Sequence, residues 1–403
     1  MAVGEANLNF QVVPGVRLAA TAAGIKDAEK SVSDLVLFEF AEGSTTAGVF
    51  TKSLFAAAPV VLGKKHLEAA PSRYFLINSG NANAATGEPG IEDAMNCCTA
   101  TSQLTGTRPE ETIPFSTGVI GERLPVEKIT SSIAELTSTL DDSNWLQAAE
   151  GIMTTDTRPK VATRRFSVDG ETVTITGIAK GAGMIQPNMA TMLAYVATDV
   201  RCEQEMLKEL LVQSVDASFN RITVDSDTST NDSCMLTATG VSGVDLADAS
   251  TREIFYPELA SLMKELAQGI IRDAEGATKF VTVTVEGAPG SHVSLEIAYA
   301  IANSPLMKTA IFASDANWGR IVMAIGKADV DIDIDKIDVY LGDVCLMSQG
   351  GKASDYTEER GAAVMSKDEI LIRVDLNSGG SSETVWTSDL SHEYVRINAE
   401  YRT

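Results

Sequence analysis

The chain has 403 residues and a mass of 42.7 kDa, a length that predicts two or three folded units. With 44% hydrophobic and 22% charged residues, its composition is that of a globular protein and excludes collagen-like and disordered classes. The net charge is −23, and residues 191–403 carry 34 acidic against 17 basic side chains. Such a surface repels phosphate groups and anionic lipids, which disfavours nucleic acids and membranes as partners.

The sequence also predicts a compartment. It has no apolar run of the ~18 to 20 residues that a membrane-spanning helix needs, and its first residues, MAVGEANLNF, lack the basic start of a signal peptide. An odd number of cysteines without a CxxC motif indicates reduced structural thiols rather than disulfides or a zinc site. We therefore expect a soluble, cytoplasmic protein. The cysteines are Cys97, Cys98, Cys202, Cys234 and Cys345.

In the first part of the chain, short β-rich runs alternate with helical stretches, which predicts a mixed α/β fold. Two of these β-rich runs predict strands at 35–40 and 74–77. Helical spacing predicts a helix over 90–104 and another over 126–150, with Pro125 near its start.

The middle of the chain contains a strong hairpin signal. Residues 165–178 form two alternating β-branched runs around Asp169-Gly170, a pair that favours a tight turn. The segment KGAGMIQPNMATMLAYVATD then passes from a glycine-rich turn into a predicted strand. One face of that strand carries Thr191, Leu193, Tyr195 and Ala197. Further on, we expect helices at 204–220 and 250–275, and a β-rich C-terminal domain from about residue 280.

Common catalytic and metal-binding motifs are absent from the sequence. Its three histidines are scattered, and it has no HExxH, GxSxG or Walker A motif, while Gln186 occupies the third position of a GxGxxG pattern. The acidic tract ADVDIDIDKIDVY lacks the glycine and glutamate of an EF-hand loop, so we expect a strand with one wet face. The polar tract at 224–233 is either a turn or one wall of a site.

Thr191 lies in a setting that suits nucleophilic chemistry. An internal threonine hydroxyl is a weak nucleophile. If the Ala190–Thr191 bond were cut, the new α-amine, with a pKa of about 7.7 to 8.0, would act as a base beside that hydroxyl. The preceding turn, with Gly181, Gly183 and Pro187, would hold the scissile bond under strain. Taken alone, this segment favours a simpler interpretation, a glycine turn leading into a buried strand.

A family resemblance decides between these interpretations. Six further segments, in family order, are INSGNANAATG (77–87), STGVIGE (116–122), MTTDTRPK (153–160), EGATKF (275–280), NWGRI (317–321) and the terminal NAEYRT. Together with the Thr191 segment they resemble the ornithine acetyltransferases of arginine biosynthesis, also called glutamate N-acetyltransferases. The resemblance extends from about residue 10 to the end of the chain.

The resemblance implies a fold, a processing event and a reaction. The expected fold is an α/β layered sandwich similar to that of N-terminal nucleophile hydrolases, with a smaller C-terminal α/β domain. Self-cleavage between Ala190 and Thr191 would give an α chain (1–190) and a β chain (191–403), assembled as a cytoplasmic α2β2 heterotetramer. The implied enzyme moves acetyl from N2-acetyl-L-ornithine to L-glutamate through acetyl-Thr191, and it needs no metal or other cofactor.

The family's site residues map onto matching positions of this sequence. Thr117 and Gly118 would form the oxyanion hole beside the nucleophile Thr191. Lys180 suits a substrate carboxylate and Glu275 the ornithine ammonium, a pairing that we infer from charge. The substrate contacts implied by the resemblance are Thr154, Lys180, Thr191, Glu275, Asn398 and Thr403. Because Thr403 is the last residue, its use requires a pinned tail, to which Asn398 would contribute.

Some alternatives stay open at this point. Ser226 and Ala316 stand where glycine and proline are usual in the family, which leaves local loop geometry undetermined. The shared motifs do not distinguish an enzyme that also uses acetyl-CoA from one that does not. A related self-processing amidohydrolase or aminopeptidase would pass the acyl group to water, and an acidic metabolite-binding or scaffold protein would stay a single chain.

Overall fold

The computed structural model describes residues 2–26, 32–186 and 192–400. The chain divides into two compact units, and helices and sheets occur in both, as predicted for a mixed α/β fold. The larger unit consists of Ala6–Asn220 and Thr228–Ile270. The smaller unit consists of Met1–Glu5, Arg221–Asp227 and Ile271–Thr403.

Strands and helices alternate along most of the described chain. The strands are β1 (Val16–Thr21), β2 (Leu35–Phe40), β3 (Thr45–Phe50), β4 (Tyr74–Asn81), β5 (Thr112–Val119), β6 (Lys160–Val168), β7 (Glu171–Lys180), β8 (Leu193–Thr198), β9 (Ile222–Thr223), β10 (Ser233–Ala238), β11 (Phe280–Ala288), β12 (Asp338–Leu341), β13 (Val344–Ser348), β14 (Gly351–Lys352), β15 (Glu369–Asp375) and β16 (Ser381–Ser388). The helices are α1 (Ala58–Ala69), α2 (Gly87–Thr105), α3 (Val126–Ser138), α4 (Trp145–Gly151), α5 (Gln204–Asp216), α6 (Ala249–Arg272), α7 (Ser291–Ala302), α8 (Pro305–Phe312), α9 (Trp318–Gly326), α10 (Glu358–Met365) and α11 (His392–Ala399).

The larger unit is a layered sandwich of two sheets. One sheet has the order β1-β2-β4-β5 and the other the order β3-β10-β8-β7-β6. The apolar core between them draws side chains from both sheets and from α4. Helices α1, α2 and α3 pack against the first sheet, and α5 packs against β3 and β10 of the second. This arrangement of two sheets between helical layers confirms the fold predicted for this region.

Tyr195 on β8 joins the two sheets of the larger unit. Its ring centroid lies 5.5 Å from that of Phe38, 5.9 Å from Phe75 and 5.0 Å from Phe115, all on the opposite sheet. Such aromatic pairs stabilise a core beyond the area they bury, by about 0.5 to 1.5 kcal/mol each. Leu193 and Ala197 enter the same core, so the predicted apolar face of β8 is confirmed.

The smaller unit is organised around one mixed sheet of order β14-β13-β12-β15-β11-β16-β9. Within this sheet, β11 runs parallel to β15 and antiparallel to β16. Helix α7 packs on β11 and β16, and α9 packs on α7. The core under these helices is aliphatic, with Val281, Val283 and Val285 of β11 fully buried.

Several local predictions are confirmed. Strand β2 has the predicted bounds, and β6 and β7 form the predicted hairpin. At its turn, Asp169 and Gly170 both have positive φ angles, of 52° and 90°, as a type I′ turn requires. All five cysteines are free thiols. None of the helices in the described part of the chain has the length and apolar character needed to cross a membrane.

Two local predictions are wrong. The helix predicted over 126–150 is split into α3 and α4, because Asp141 leaves the helix and forms a bridge to Leu18, with backbone hydrogen bonds of 2.9 and 3.0 Å. The strand predicted in the acidic tract is also absent before Asp338. There the Asp333 side chain caps a 3₁₀ turn over Ile334–Lys336 by accepting the backbone N–H of Asp335. Short acidic side chains compete in this way with the backbone hydrogen bonds of a strand.

Ser226 occupies a left-handed backbone position in the polar tract, with a φ of 64°. Glycine reaches this region without steric cost, whereas a side chain makes it unfavourable. The glycine usual in the family at this position therefore has a backbone reason.

Candidate active site

Thr117 and Gly118 lie near the end of β5, where this strand runs parallel to β4. The pairing of the two strands shifts register at Gly80 and Asn81. Gly118 has a φ of 133°, and a Cβ atom built on it would lie 2.2 Å from the carbonyl carbon of Gly80. Position 118 therefore requires glycine, because any side chain would collide with the neighbouring backbone.

Lys180, the last residue of β7, brings an ammonium group to Thr117. Its Nζ atom donates a hydrogen bond to Thr117 Oγ1 at 3.1 Å. In the antiparallel pairing of β7 with β8, Lys180 lies opposite Leu193, which follows Thr191 by two residues in the sequence. The same lysine thus contacts the predicted oxyanion hole and pairs with the start of β8.

Asp156 is a buried carboxylate that links separate segments of the candidate site. One of its oxygens accepts a hydrogen bond from the backbone N–H of Thr154 at 3.0 Å, and the other accepts one from the N–H of Gly181 at 2.8 Å. Lys160 forms a buried ion pair with the same carboxylate. Asp156 therefore fixes the backbone at Thr154 and directly after Lys180, two of the predicted substrate contacts.

The charges around Asp156 keep its carboxyl group ionised. Burial alone would raise the pKa of Asp156, but the ammonium groups of Lys160 and Lys180, together with the hydrogen bonds, hold this pKa well below its usual value. Lys26 lies in the same field: burial lowers its pKa, while the charges of Asp34 and Asp156 oppose that shift. Lys180, which contacts Thr117, is the cation of this region that suits a substrate carboxylate.

The polar tract before β10 connects the ends of two strands. Asn231 Nδ2 donates hydrogen bonds to the carbonyl oxygens of Ala82, at 2.6 Å, and Ser116, at 2.9 Å. The backbone N–H of Ser233 donates to the carbonyl oxygen of Met192 at 3.0 Å. This tract is an irregular loop, and its hydrogen bonds fix the residue before Thr117 and the residue after Thr191.

Glu275 and Asn398 meet in the smaller unit. Asn398 Nδ2 donates to Glu275 Oε2 at 2.6 Å, which attaches the end of α11 to the turn before β11. A second contact in this cluster joins the hydroxyl of Tyr394 to Asp225 Oδ2 at 3.1 Å. Burial and the charges of Asp225 and Glu275 raise the pKa of Tyr394, so its hydroxyl stays neutral and donates. This cluster is anionic, which suits a substrate ammonium.

The predicted site residues therefore fall into three groups. Thr117, Gly118, Thr154 and Lys180 are connected by the contacts above within the larger unit. Glu275 and Asn398 are connected within the smaller unit. Ala190, Thr191 and Thr403 lie outside the described residues. The catalytic and binding roles of all these residues stay predictions.

Sequence reasoning missed the residues that hold this site together. Asp156 lies inside the MTTDTRPK segment, but nothing local distinguishes it, because one of its partners, Gly181, is 25 residues away. From sequence, Asn231 is only one residue of a polar tract that is either a turn or one wall of a site. Among the described residues, no group of three or more histidine, cysteine, aspartate or glutamate side chains is arranged to hold a metal ion.

The chain is similar in sequence to proteins of known families. Over 100% of both chains, it is 53% identical to the arginine biosynthesis bifunctional protein ArgJ of Pseudomonas syringae pv. tomato and 52% identical to that of Pseudomonas fluorescens. A solved structure of the arginine biosynthesis bifunctional protein argJ from Bacillus halodurans matches with 37% identity and a TM-score of 0.48, covering 50% of this chain and 96% of that one. A family model described as the ArgJ family matches residues 17–403. This chain belongs to the ArgJ family.

Proposed function

We propose that this protein is a glutamate N-acetyltransferase of arginine biosynthesis. It transfers the acetyl group of N2-acetyl-L-ornithine to L-glutamate through an acetyl ester on Thr191. The observation that carries the proposal is the contact of Lys180 Nζ with Thr117 Oγ1, beside the glycine-only position 118, in a member of the ArgJ family. This contact joins a cation that suits a carboxylate to the hydroxyl proposed for the oxyanion hole.

The proposed reaction has two acyl transfers. In the first, the α-amine of Thr191 takes the hydroxyl proton while Oγ attacks the acetyl carbonyl, and the proton then passes to the departing amine of ornithine. The Thr117 hydroxyl and the Gly118 N–H would stabilise the oxyanion, at about 2.7 to 4 kcal/mol for each donor. In the second transfer, the amine of glutamate attacks the acetyl ester and releases Thr191.

Substrate charges explain the other residues in the proposal. Lys180 would bind the α-carboxylate, and Thr154 would line the same region through its link to Asp156. Glu275 would bind the side-chain ammonium of ornithine, and Asn398 would orient the Glu275 carboxylate. Thr403 would contribute a further substrate contact from the tail. A cation for the carboxylate and an anion for the ammonium would favour a charged amino acid over an uncharged amide.

The relatives are named as bifunctional proteins, and we extend this to the present chain. Acetyl-CoA would be the second acetyl donor, a co-substrate rather than a resident cofactor. The amidohydrolase alternative is not favoured, because full-length identity above 50% connects this chain to arginine-biosynthesis proteins. A measured ratio of transfer to hydrolysis above one would separate the two activities.

Self-cleavage is part of the proposal. It would yield the α chain 1–190 and the β chain 191–403, which would assemble as α2β2. We also propose a cytoplasmic location, for which the five free thiols are the supporting observation.

Substitution of Thr191 tests the proposed function. Thr191→Ala should leave one inactive chain of 42.7 kDa, because both processing and transfer require a hydroxyl at this position. Thr191→Ser should still split into two pieces of similar size. Denaturing gels and Edman sequencing identify the products. Cleavage before residue 191 in Thr191→Ala, or transferase activity in that variant, would contradict the assignment.

The covalent intermediate predicts ping-pong kinetics, because ornithine leaves before glutamate enters. Double-reciprocal plots at several glutamate concentrations should give parallel lines. Acetylornithine alone should add one acetyl group to the peptide that begins at Thr191. Intersecting lines without an acetylated peptide would rule out this route.

A further inference from the structure

The proposed self-cleavage leaves one chemical requirement unassigned. Before cleavage, the nitrogen of Thr191 is part of an amide bond and cannot act as a base. A different group must therefore take the hydroxyl proton in the first event, since an unassisted threonine hydroxyl is a weak nucleophile.

Asp232 lies beside the residue that follows Thr191. Strands β10 and β8 run parallel with Ser233 opposite Leu193, and the Ser233 N–H donates to Met192 O at 3.0 Å. Asp232 directly precedes Ser233, just as Met192 precedes Leu193. Its carboxyl group also interacts with the Met192 backbone. A carboxyl group is thus fixed beside Met192, the residue that follows the proposed nucleophile in the chain.

The Asp232 carboxyl group interacts with Ser229 and with the Met192 backbone, yet it keeps one oxygen that no contact among the described residues explains. It is 2% exposed, and Oδ2 has no hydrogen-bond partner in the described part of the chain. Leaving a buried polar atom unsatisfied costs about 1 to 3 kcal/mol, and such atoms in folded proteins call for a chemical reason. The neighbouring Asn231, by contrast, uses its side-chain amide in two hydrogen bonds to strand ends.

We infer that Asp232 is the proton acceptor for self-cleavage, an inference that rests on the proposed function. The Asp232 carboxylate takes the proton of Thr191 Oγ as this oxygen attacks the carbonyl carbon of Ala190. Asp232 then returns the proton to the Thr191 nitrogen as the C–N bond breaks, leaving an ester between Ala190 and Thr191 Oγ. Water hydrolyses that ester to the Ala190 carboxylate and a free Thr191, whose amine is the base in later acetyl transfer.

The surroundings of Asp232 suit a group that both accepts and returns a proton. Burial raises the pKa of Asp232 well above its usual value, while hydrogen bonding to Ser229 and the charge of Lys180 oppose this shift. A carboxyl group with a raised pKa is a stronger base than an exposed one, and its acid form protonates a leaving nitrogen at higher pH.

The test follows cleavage of the full-length chain after cell-free synthesis, by gel at timed intervals. Asp232→Asn should slow cleavage at least 100-fold and keep the melting temperature within a few degrees of the wild type. The matched control is Asp199→Asn, which alters another buried aspartate, just beyond the far end of β8, and should cleave at the wild-type rate.

Chemical rescue separates a proton acceptor from a structural residue. Asp232→Ala leaves space for a small acid, so added formate should restore cleavage before residue 191, which a merely structural role does not predict. Wild-type cleavage in Asp232→Asn, or no rescue of folded Asp232→Ala by formate, would overturn the inference. Thr191→Ala distinguishes the two failures: if it also cleaves, the proposed function fails as well, and if it stays intact, only the role of Asp232 is lost.

Discussion

Two buried lysines, one in each unit, have different partners. In the larger unit, Lys160 pairs with the carboxylate of Asp156. In the smaller unit, Lys308 on α8 donates to the Thr387 hydroxyl at 2.7 Å and to the carbonyl oxygen of Ser388. Burial lowers the pKa of Lys308 to about 8, although the charges of Asp389 and Asp225 act in the opposite direction.

The partners of Lys160 and Lys308 determine what each buried lysine stabilises. The carboxylate that neutralises Lys160 also accepts the backbone N–H groups of Thr154 and Gly181, so this ion pair holds segments of the candidate site. Among the described residues, Lys308 donates only to neutral oxygens at the end of β16, so it joins a helix to a strand. A direct ion pair preserves a buried charge, whereas neutral acceptors leave the lysine prone to lose its proton.

The largest expected effect comes from breaking the ion pair of the larger unit. Asp156→Asn leaves Lys160 buried without a counter-charge and should lower the free energy of unfolding by about 3 to 5 kcal/mol. Urea denaturation measures this change. Adding Lys160→Met to Asp156→Asn should recover part of the loss, since the unpaired charge is then gone. An unfolding free energy equal to that of the wild type in Asp156→Asn would show that the pair does not hold the fold.

The second prediction uses pH to test the lysine of the smaller unit. Its pKa is about 8 in the folded chain and about 10.4 when unfolded, so between these values the unfolded chain binds more protons. The contribution of Lys308 to stability should therefore rise with pH across this window, by about 3 kcal/mol in total, and be smallest below pH 8. Lys308→Met should lack this rise in urea denaturation at pH 7.5 and 10. Identical pH dependence in the two proteins would contradict the prediction.

The third and smallest effect concerns Lys180, the cation of the larger unit that contacts Thr117. Lys180→Ala should lower kcat/KM for acetylornithine by ~10- to 100-fold, the value of a charge-assisted hydrogen bond, and leave the fold intact. Steady-state kinetics and thermal melting measure both. Unchanged kcat/KM would remove Lys180 from the substrate site. An uncleaved Lys180→Ala chain would instead place this lysine in processing.

The sequence predicts the parts of the fold that depend on local pattern. The β-rich run at 35–40 predicts β2, and Asp169-Gly170 predicts the hairpin turn, since the positive φ angles there follow from those residue types. The break at Asp141 was not predictable, because it depends on pairing with Leu18, 123 residues earlier.

For the site, motifs identify residues but not their connections. The need for glycine at position 118 arises from the approach of Gly80 on a neighbouring strand, which no spacing within STGVIGE reveals. The unsatisfied carboxyl oxygen of Asp232 becomes visible only when β10 lies beside β8. Motifs therefore predict a list of residues, whereas the contacts that join those residues into a site involve buried partners distant in sequence.

The proposed function depends on Thr191 becoming an N-terminal nucleophile by self-cleavage. Intact mass measurement with N-terminal sequencing of the purified wild-type protein tests this step. We expect two chains, residues 1–190 and 191–403, with the second beginning at Thr191. A single chain of 42.7 kDa with full transferase activity, or a new N-terminus at any other residue, would contradict it.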